Sequence, residues 1–184
     1  MSNGTTPAAA AARDAGKGEV AGGVRIRPVG AADLDAVAAL QERSIMTFGG
    51  PVYGEAKARA WARLGFEFRH DLLGAGGFWV AERDGRIVGV GGWSPDGLEP
   101  DLAWIRYLFV DPQAARRGIG RRLVEQAERS AQAAARPRLH VWASLNAVGF
   151  YRALGYRLQR RARWPVQAGI ELDYRLMAKP LEGA

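Results

Sequence analysis

Apolar and polar positions alternate along this chain in short stretches bounded by turn residues, and in three places give way to a spacing of three and four. Val24-Arg25-Ile26-Arg27 alternates and is stopped by Pro28, which predicts a short strand. Asp33 is placed to cap a helix carrying Leu34, Val37, Ala38, Leu40 and Gln41, ended by the Gly49-Gly50-Pro51 breaker. A second helical pattern, from Ala56 to about Leu73, sets Trp61, Leu64, Phe68 and Leu72 at spacings of three and four before Gly74, Gly76 and Gly77 end it. Phe78 to Arg83 and Arg86 to Trp93 flank Asp84-Gly85, the pair that a tight hairpin needs. After Ser94-Pro95-Asp96-Gly97 comes a long strand, Leu102 to Val110, closed by Asp111-Pro112. Gly120 to about Ala135 then reads as a helix with Leu123, Val124, Ala127 and Ala131 on one face. Leu139 to Ala143 is a strand, Ala147 to Ala153 a short helix closed by Gly155, and Tyr156 to Leu158 opens another strand. A last strand, Ile170 to Met177, alternates Ile170, Leu172, Tyr174 and Leu176. The order β-α-α-β-β-β-α-β-α-β-β joins a hairpin half to a β-α-β half, so the fold class is α/β on a mixed sheet, not a uniform parallel alternation.

Composition narrows the function classes. A chain of 184 residues suits one domain, and 48% hydrophobic with 24% charged residues is an ordinary globular balance. Residues 1–22 hold only Val20 as a branched apolar residue and no aromatic, so they are expected to form a disordered tail ahead of one domain over 23–184. No apolar run approaches the roughly 20 residues that cross a bilayer, and the N-terminus lacks the pattern of a signal peptide. The absence of cysteine removes disulfides, Cys-ligated zinc and a thiol nucleophile, and the default compartment is cytoplasmic. Net charge is +7, carried by arginine except at Lys17, Lys57 and Lys179. That balance alone suggests a nucleic-acid binder only weakly.

The chemistry concentrates between Leu108 and Leu123. A strand leads through Arg116-Arg117-Gly118-Ile119-Gly120 into a helix whose first turn leaves backbone N–H groups uncovered at its positive end. Arg116, Arg117 and Arg121 flank them, so the segment serves equally as a phosphate site or as an ordinary tight turn beside solvated arginines. A dinucleotide fingerprint fails because Leu123 stands where a third glycine belongs, and a P-loop fails for want of Gly-Lys-Ser/Thr.

Arg-Arg-Gly-Ile-Gly after Phe-Val-Asp-Pro, followed by Asn146-Ala147-Val148-Gly149-Phe150-Tyr151-Arg152-Ala153-Leu154-Gly155-Tyr156, resembles the GNAT superfamily of acetyl-CoA-dependent N-acetyltransferases. The first family motif is Gln/Arg-x-x-Gly-x-Gly/Ala, the second Asn-x-x-x-x-Tyr with a following Gly-Phe or Gly-Tyr. Ala115 departs from the first, and Arg116 is placed to substitute. The resemblance implies a central mixed, mostly antiparallel sheet with a splayed strand pair and about four flanking helices. It implies that acetyl-CoA lies with its pantetheine arm against Leu108, Phe109 and Val110 and its pyrophosphate on Arg116, Arg117, Gly118, Ile119, Gly120 and Arg121. Asn146 would bond the pantetheine or the acceptor side, or cap the short helix. Tyr151 would act as general acid toward the leaving thiolate, and the Val110 N–H would stabilise the oxyanion.

The expected activity is acetyl transfer to a primary amine of a small molecule in a ternary complex, with no metal. The alternatives are a non-catalytic acyl-CoA sensor or a protein or peptide acetyltransferase. No membrane or nucleic-acid partner is expected, and a homodimer is allowed. His140, Glu99 and Asp101 are candidate bases without an assignment among them. Phe48 to Tyr53, with Trp93 and Trp104, are expected to wall an apolar acceptor pocket.

Overall fold

The computed structural model describes residues 23–67 and 77–181, with residues 65–67 by backbone only. The expected tail over residues 1–22, and Phe68 and Leu72 of the second helical pattern, lie outside the described residues.

Seven strands form one sheet: β1 (Arg25–Pro28), β2 (Gly77–Arg83), β3 (Arg86–Pro95), β4 (Leu102–Val110), β5 (Arg138–Ser144), β6 (Arg157–Gln167) and β7 (Ile170–Pro180). Their order is β1-β2-β3-β4-β5-β7-β6, and every neighbouring pair is antiparallel except β4 with β5. Pro28 is tolerated within β1 because β1 is an edge strand. The β2–β3 hairpin turns on Asp84 (φ 52°) and Gly85 (φ 72°), two successive left-handed residues that match the twist of the flanking strands.

Helices α1 (Leu34–Ser44), α2 (Gly50–Tyr53) and α3 (Glu55–Glu67) cover one face of the sheet, and α4 (Ile119–Ala133) and α5 (Val148–Ala153) cover the other. Val124, Ala127 and Ala131 of α4 pack on Ala103, Ile105, Leu139 and Val141, forming the larger core. On the opposite face Val37 and Leu40 of α1 pack on Phe78, Val80 and Val90. No helix among the described residues is long and apolar enough to cross a membrane.

Two local expectations are corrected. Gly49-Gly50-Pro51 does not break the helix: the backbone continues through a wide π turn, Ile45–Gly49, straight into α2, where Pro51 sits in the first turn and needs no N–H partner. Asp33 does not cap α1 with its side chain. It turns back to accept from the Gly30 N–H at 2.8 Å and from Arg27 at 2.6 and 2.9 Å, and makes no cap bond to α1.

Candidate active site

The parallel pair β4 and β5 is bonded only at one end, where Leu102, Ala103 and Trp104 face Arg138, Leu139 and His140. Beyond Trp104 the two strands part. Two causes lie in β4 itself. Its pairing with β3 slips by one residue between Val90 and Gly92, and Tyr107 adopts a left-handed backbone (φ 53°). This is a β-bulge, which bends the strand and raises its twist. The bulge needs room on β3, and Gly91 provides it: a Cβ there would stand 2.8 Å from Leu108 Cδ1.

The bulge also fixes which backbone groups are free. The Asp111 N–H donates to the Val88 carbonyl at 3.0 Å, and Val110 pairs with Gly89 one step before it. By the alternation of an antiparallel ladder, the Val110 N–H points away from β3 toward the gap that β5 has left. A strand edge without a partner is the arrangement that an extended amide chain can extend as an added strand.

A cleft of about 880 Å³ opens at the splay and reaches both faces of the sheet. Ile105, Leu108, Val141 and Tyr151 line it on the α5 side, while Gln41, Ser44, Trp61, Phe109, Trp142 and Trp164 line it on the α1 and α3 side. Tyr151, on α5, is 4% exposed, and burial pushes its phenol well above the usual tyrosine range. It is therefore a neutral O–H donor across ordinary pH. Asn146 also lines the cleft, but it caps no helix: the residue preceding α5 is Ala147, and Ser144 precedes the short turn that holds Asn146.

The strand-to-helix turn adjoins the splay. Arg116 (φ 59°) and Gly118 (φ 76°) both take left-handed backbone, and Gly118 starts α4 without a side-chain cap. The first backbone bond back into the helix is from the Arg122 N–H to the Gly118 carbonyl, so the N–H groups from Ile119 to Arg121 remain for an outside acceptor. A Cβ on Gly120 would stand 3.4 Å from the Phe150 ring and 3.5 Å from Val110, which ties this turn to the end of β4 and to α5. Arg116 and Arg117 are exposed, and Arg121 reaches Glu125 at 3.8 Å. Leu108, Phe109, Asn146 and Tyr151 thus line one cleft, and the turn from Arg116 to Arg121 meets the end of β4 where Gly120 stands against Val110.

The candidate bases do not join them. Glu99 and Asp101 both bind Arg138, at 2.6 Å each, at the paired end of β4. The Arg138 hydrogen bond holds the Asp101 carboxyl below the usual range, and neither Glu99 nor Asp101 lines the cleft. His140 packs edge-on against Trp104 at 5.2 Å and does not line the cleft; burial, then the Arg138 charge, lowers its pKa. Trp93 is 6% exposed in the core under α4, so of the two tryptophans expected to wall the pocket only Trp104 does so. Of the Phe48 to Tyr53 segment, Gly49 lines the cleft. Tyr53 is instead a strut: its hydroxyl donates to the Asp173 carbonyl at 2.6 Å and accepts from the Leu145 N–H at 2.7 Å.

Sequence reasoning did not single out Gln41, Ser44, Ser144 and Trp142. The first three are polar side chains 6–8% exposed that line the cleft, and their only sequence signal was a polar residue on an otherwise apolar helix face or strand end.

The family model described as "Acetyltransferase (GNAT) domain" matches residues 74–158, which span β2 to the start of β6 and so include the bulge, the turn and α5. An uncharacterised N-acetyltransferase of Methanocaldococcus jannaschii is 31% identical over 140 residues, covering 71% of this chain. The chain spans 59% of the length of that curated relative. A GCN5-related N-acetyltransferase (aminotransferase, class II) from Rhodopseudomonas palustris superposes with a TM-score of 0.77 at 29% identity, over 89% of this chain and 99% of the other. The PaiA N-acetyltransferase of Thermoplasma acidophilum, solved with coenzyme A, shares the fold at a TM-score of 0.70 and 18% identity, over 85% and 98%. The splayed β4–β5 pair, the glycine turn into α4 and the tyrosine on α5 thus stand in a frame that these proteins share, and the chain belongs to the GNAT superfamily.

Proposed function

We propose that the protein is an N-acetyltransferase that moves acetyl from acetyl-CoA to a primary amine of a small molecule, by direct attack within a ternary complex. The single observation that carries this reading is the parting of β4 and β5 beyond Trp104 and His140, which leaves the Val110 N–H on an open edge beside the Tyr151 wall. The residues fit the cosubstrate: the open edge of β4 suits the amides of a pantetheine arm, and the uncapped turn at Gly118 to Arg121 suits a pyrophosphate.

In the reaction the amine nitrogen attacks the thioester carbon and the C–N bond forms. The Val110 N–H donates to the oxyanion that results. The C–S bond then breaks, sulfur keeps its electron pair, and Tyr151 supplies the proton that makes a thiol. The proton lost from nitrogen returns to the Tyr151 oxygen, so the phenol is restored and the protons balance. With no cysteine in the chain there is no thiol to carry the acetyl group, which favours direct transfer.

The test is free thiol release from acetyl-CoA across a panel of small amines and lysine-bearing peptides. Turnover with small amines supports the proposal. Tight acetyl-CoA binding with no thiol release from any acceptor would make the protein an acyl-CoA sensor, and faster acetylation of the peptides would make it a peptide acetyltransferase.

A further inference from the structure

The cleft wall that faces α1 and α3 includes Arg106, and Arg160 stands beside that wall against Trp142; neither guanidinium has an ion-pair partner among the described residues. Trp104 of β4 and Trp142 of β5 stand side by side, their ring centroids 5.9 Å apart and their planes 15° apart. Trp104 is fixed by its Nε1, which donates to Asp96 Oδ2 at 2.7 Å. The Arg106 guanidinium lies 5.5 Å from the Trp104 ring centroid and that of Arg160 lies 4.9 Å from Trp142. Arg106 Nε makes one long bond to Ser94 Oγ, 3.3 Å, and the rest of its fork has no partner among the described residues.

Asp96, an ionised acid on the same wall, forms no ion pair with either guanidinium among the described residues. Its Oδ2 is taken by Trp104 and its Oδ1 accepts from the Leu98 and Glu99 N–H groups at 2.8 and 2.9 Å. A guanidinium held against an indole face is oriented and partly desolvated while its N–H edge stays available, and that edge matches a carboxylate in two parallel bonds. Apolar surface on the same wall comes from Trp61, Phe109 and Trp164. Such a wall accepts an apolar body ending in an anion.

The spacing along β4 sets where the anion sits relative to the amine. Arg106 is four residues from Val110, roughly 10–13 Å at the rise of a strand. The Arg106 guanidinium is turned toward Trp104 and Ser94, the side of β4 away from Val110, so an amine and a carboxylate on the same carbon do not span the distance.

We infer that Arg106, seconded by Arg160, forms the anion end of the acceptor site, and that the acceptor is a small amine with an apolar body and a carboxylate at the end remote from its amino group. This inference rests on the acetyl-transfer reading but is separable from it by experiment.

Two probes that differ only in charge decide it: 4-(aminomethyl)benzoate and the neutral 4-(aminomethyl)benzamide. The benzoate is expected to show about tenfold or higher kcat/KM, carried by KM. Arg106→Gln and Arg160→Gln, both at exposed positions, should raise KM for the benzoate several-fold with kcat little changed, leave the benzamide unaffected, and keep the melting temperature. Calorimetry with 4-methylbenzoate against 4-methylbenzamide, in the presence of CoA, asks the same question without any transfer. Preferential binding of the carboxylate that both variants abolish supports the inference. Equal binding of the two, or arginine variants that weaken both equally, overturns it, whether or not any amine is acetylated. Absence of thiol release with every amine would strike at the acetyl-transfer reading alone.

Discussion

Tyr151 has the property that a proton donor to a thiolate requires: its hydroxyl is held in the neutral form by burial while the side chain still borders the cleft. Tyr151→Phe keeps the ring that packs at 5.1 Å from Phe150 and 5.4 Å from Tyr156, so the fold should persist. Turnover should fall by roughly 10²–10⁴-fold with acetyl-CoA affinity unchanged, read from steady-state kinetics beside calorimetry. Because the folded pKa is raised, wild-type activity should show no loss attributable to this phenol as pH rises toward 10, the usual tyrosine value. The two turn glycines are predicted to differ. Gly118 sits at φ 76° with nothing within 4 Å of a built Cβ, so alanine there meets no protein atom but is strained by its backbone, at a cost of about 1–2 kcal/mol. Its methyl also occupies the open space that an anion must approach. Gly118→Ala should therefore weaken acetyl-CoA binding about tenfold or more and lower the melting temperature, whereas Gly120→Ala, whose Cβ makes ordinary contacts at 3.4 and 3.5 Å, should leave both nearly intact. Equal effects at the two positions would contradict the anion-site assignment.

At the scale of elements, the site depends on β4 being bent in its middle, and the bend is shared between two strands. Gly91→Val places a Cβ, and then two methyls, where Leu108 Cδ1 already stands at 2.8 Å. Overpacking of this kind typically costs about 1–3 kcal/mol, and relief by straightening β4 would turn the Val110 N–H away from the cleft. The expected result is a lower denaturation midpoint together with a disproportionate loss of kcat; unchanged kcat in the folded variant would show that the bulge does not position the reacting group. The bulge was also the least legible part of the sequence. Leu102 to Val110 reads as an unbroken strand of β-forming residues, and nothing in it marks Tyr107 as left-handed; the trace lies in the glycines of the partner strand, which single-strand patterning does not connect to it. The hairpin was legible because Asp84 and Gly85 both need positive φ, a local demand. The strand-turn-helix of the phosphate turn was legible for the same reason at Gly118. The parting of β4 from β5 was not, since pairing across a crossover is decided by packing far away in the chain, and it was anticipated only through the family resemblance that the Arg116 to Gly120 and Asn146 to Tyr156 motifs carry together. Of the tryptophan and arginine wall only Trp104 was anticipated, because its members come from β4, β5 and β6, and no spacing in the sequence relates them.

For the molecule as a whole, the excess of positive charge is concentrated where it bears on ligands and edges: at Arg116 and Arg117 beside the turn, and at Arg157, Arg160, Arg161 and Arg163 on the exposed edge strand β6. The acids are used in pairs that tie distant segments together. Arg43 of α1 reaches Asp111 at 2.9 Å, at the end of β4, and Lys179 of β7 reaches Glu128 of α4 at 2.8 Å. Another such group closes the opposite edge of the sheet. Arg27 of β1 donates to Glu82 of β2 at 2.8 Å and to both oxygens of Asp33, whose side chain is 11% exposed. The Arg27 hydrogen bonds, opposed by partial burial and aided by the Gly30 N–H, hold the Asp33 carboxyl below the usual carboxylate range. A carboxyl whose pKa is depressed by folding contributes stability that is fully present above its unfolded value, about 3.9, and is lost as pH falls through the folded value. Replacing it with a neutral amide removes the charge-assisted bonds, each worth about 1.5–3 kcal/mol, while preserving shape. Asp33→Asn should therefore lower the unfolding free energy at pH 7 by something like 1–3 kcal/mol, measured by urea denaturation. The gap to wild type should hold down to about pH 4 and narrow steadily below it, because protonation makes the native aspartate resemble its variant. A gap that stays constant into strong acid would show that Asp33 stabilises the β1 edge by geometry alone and not by its charge.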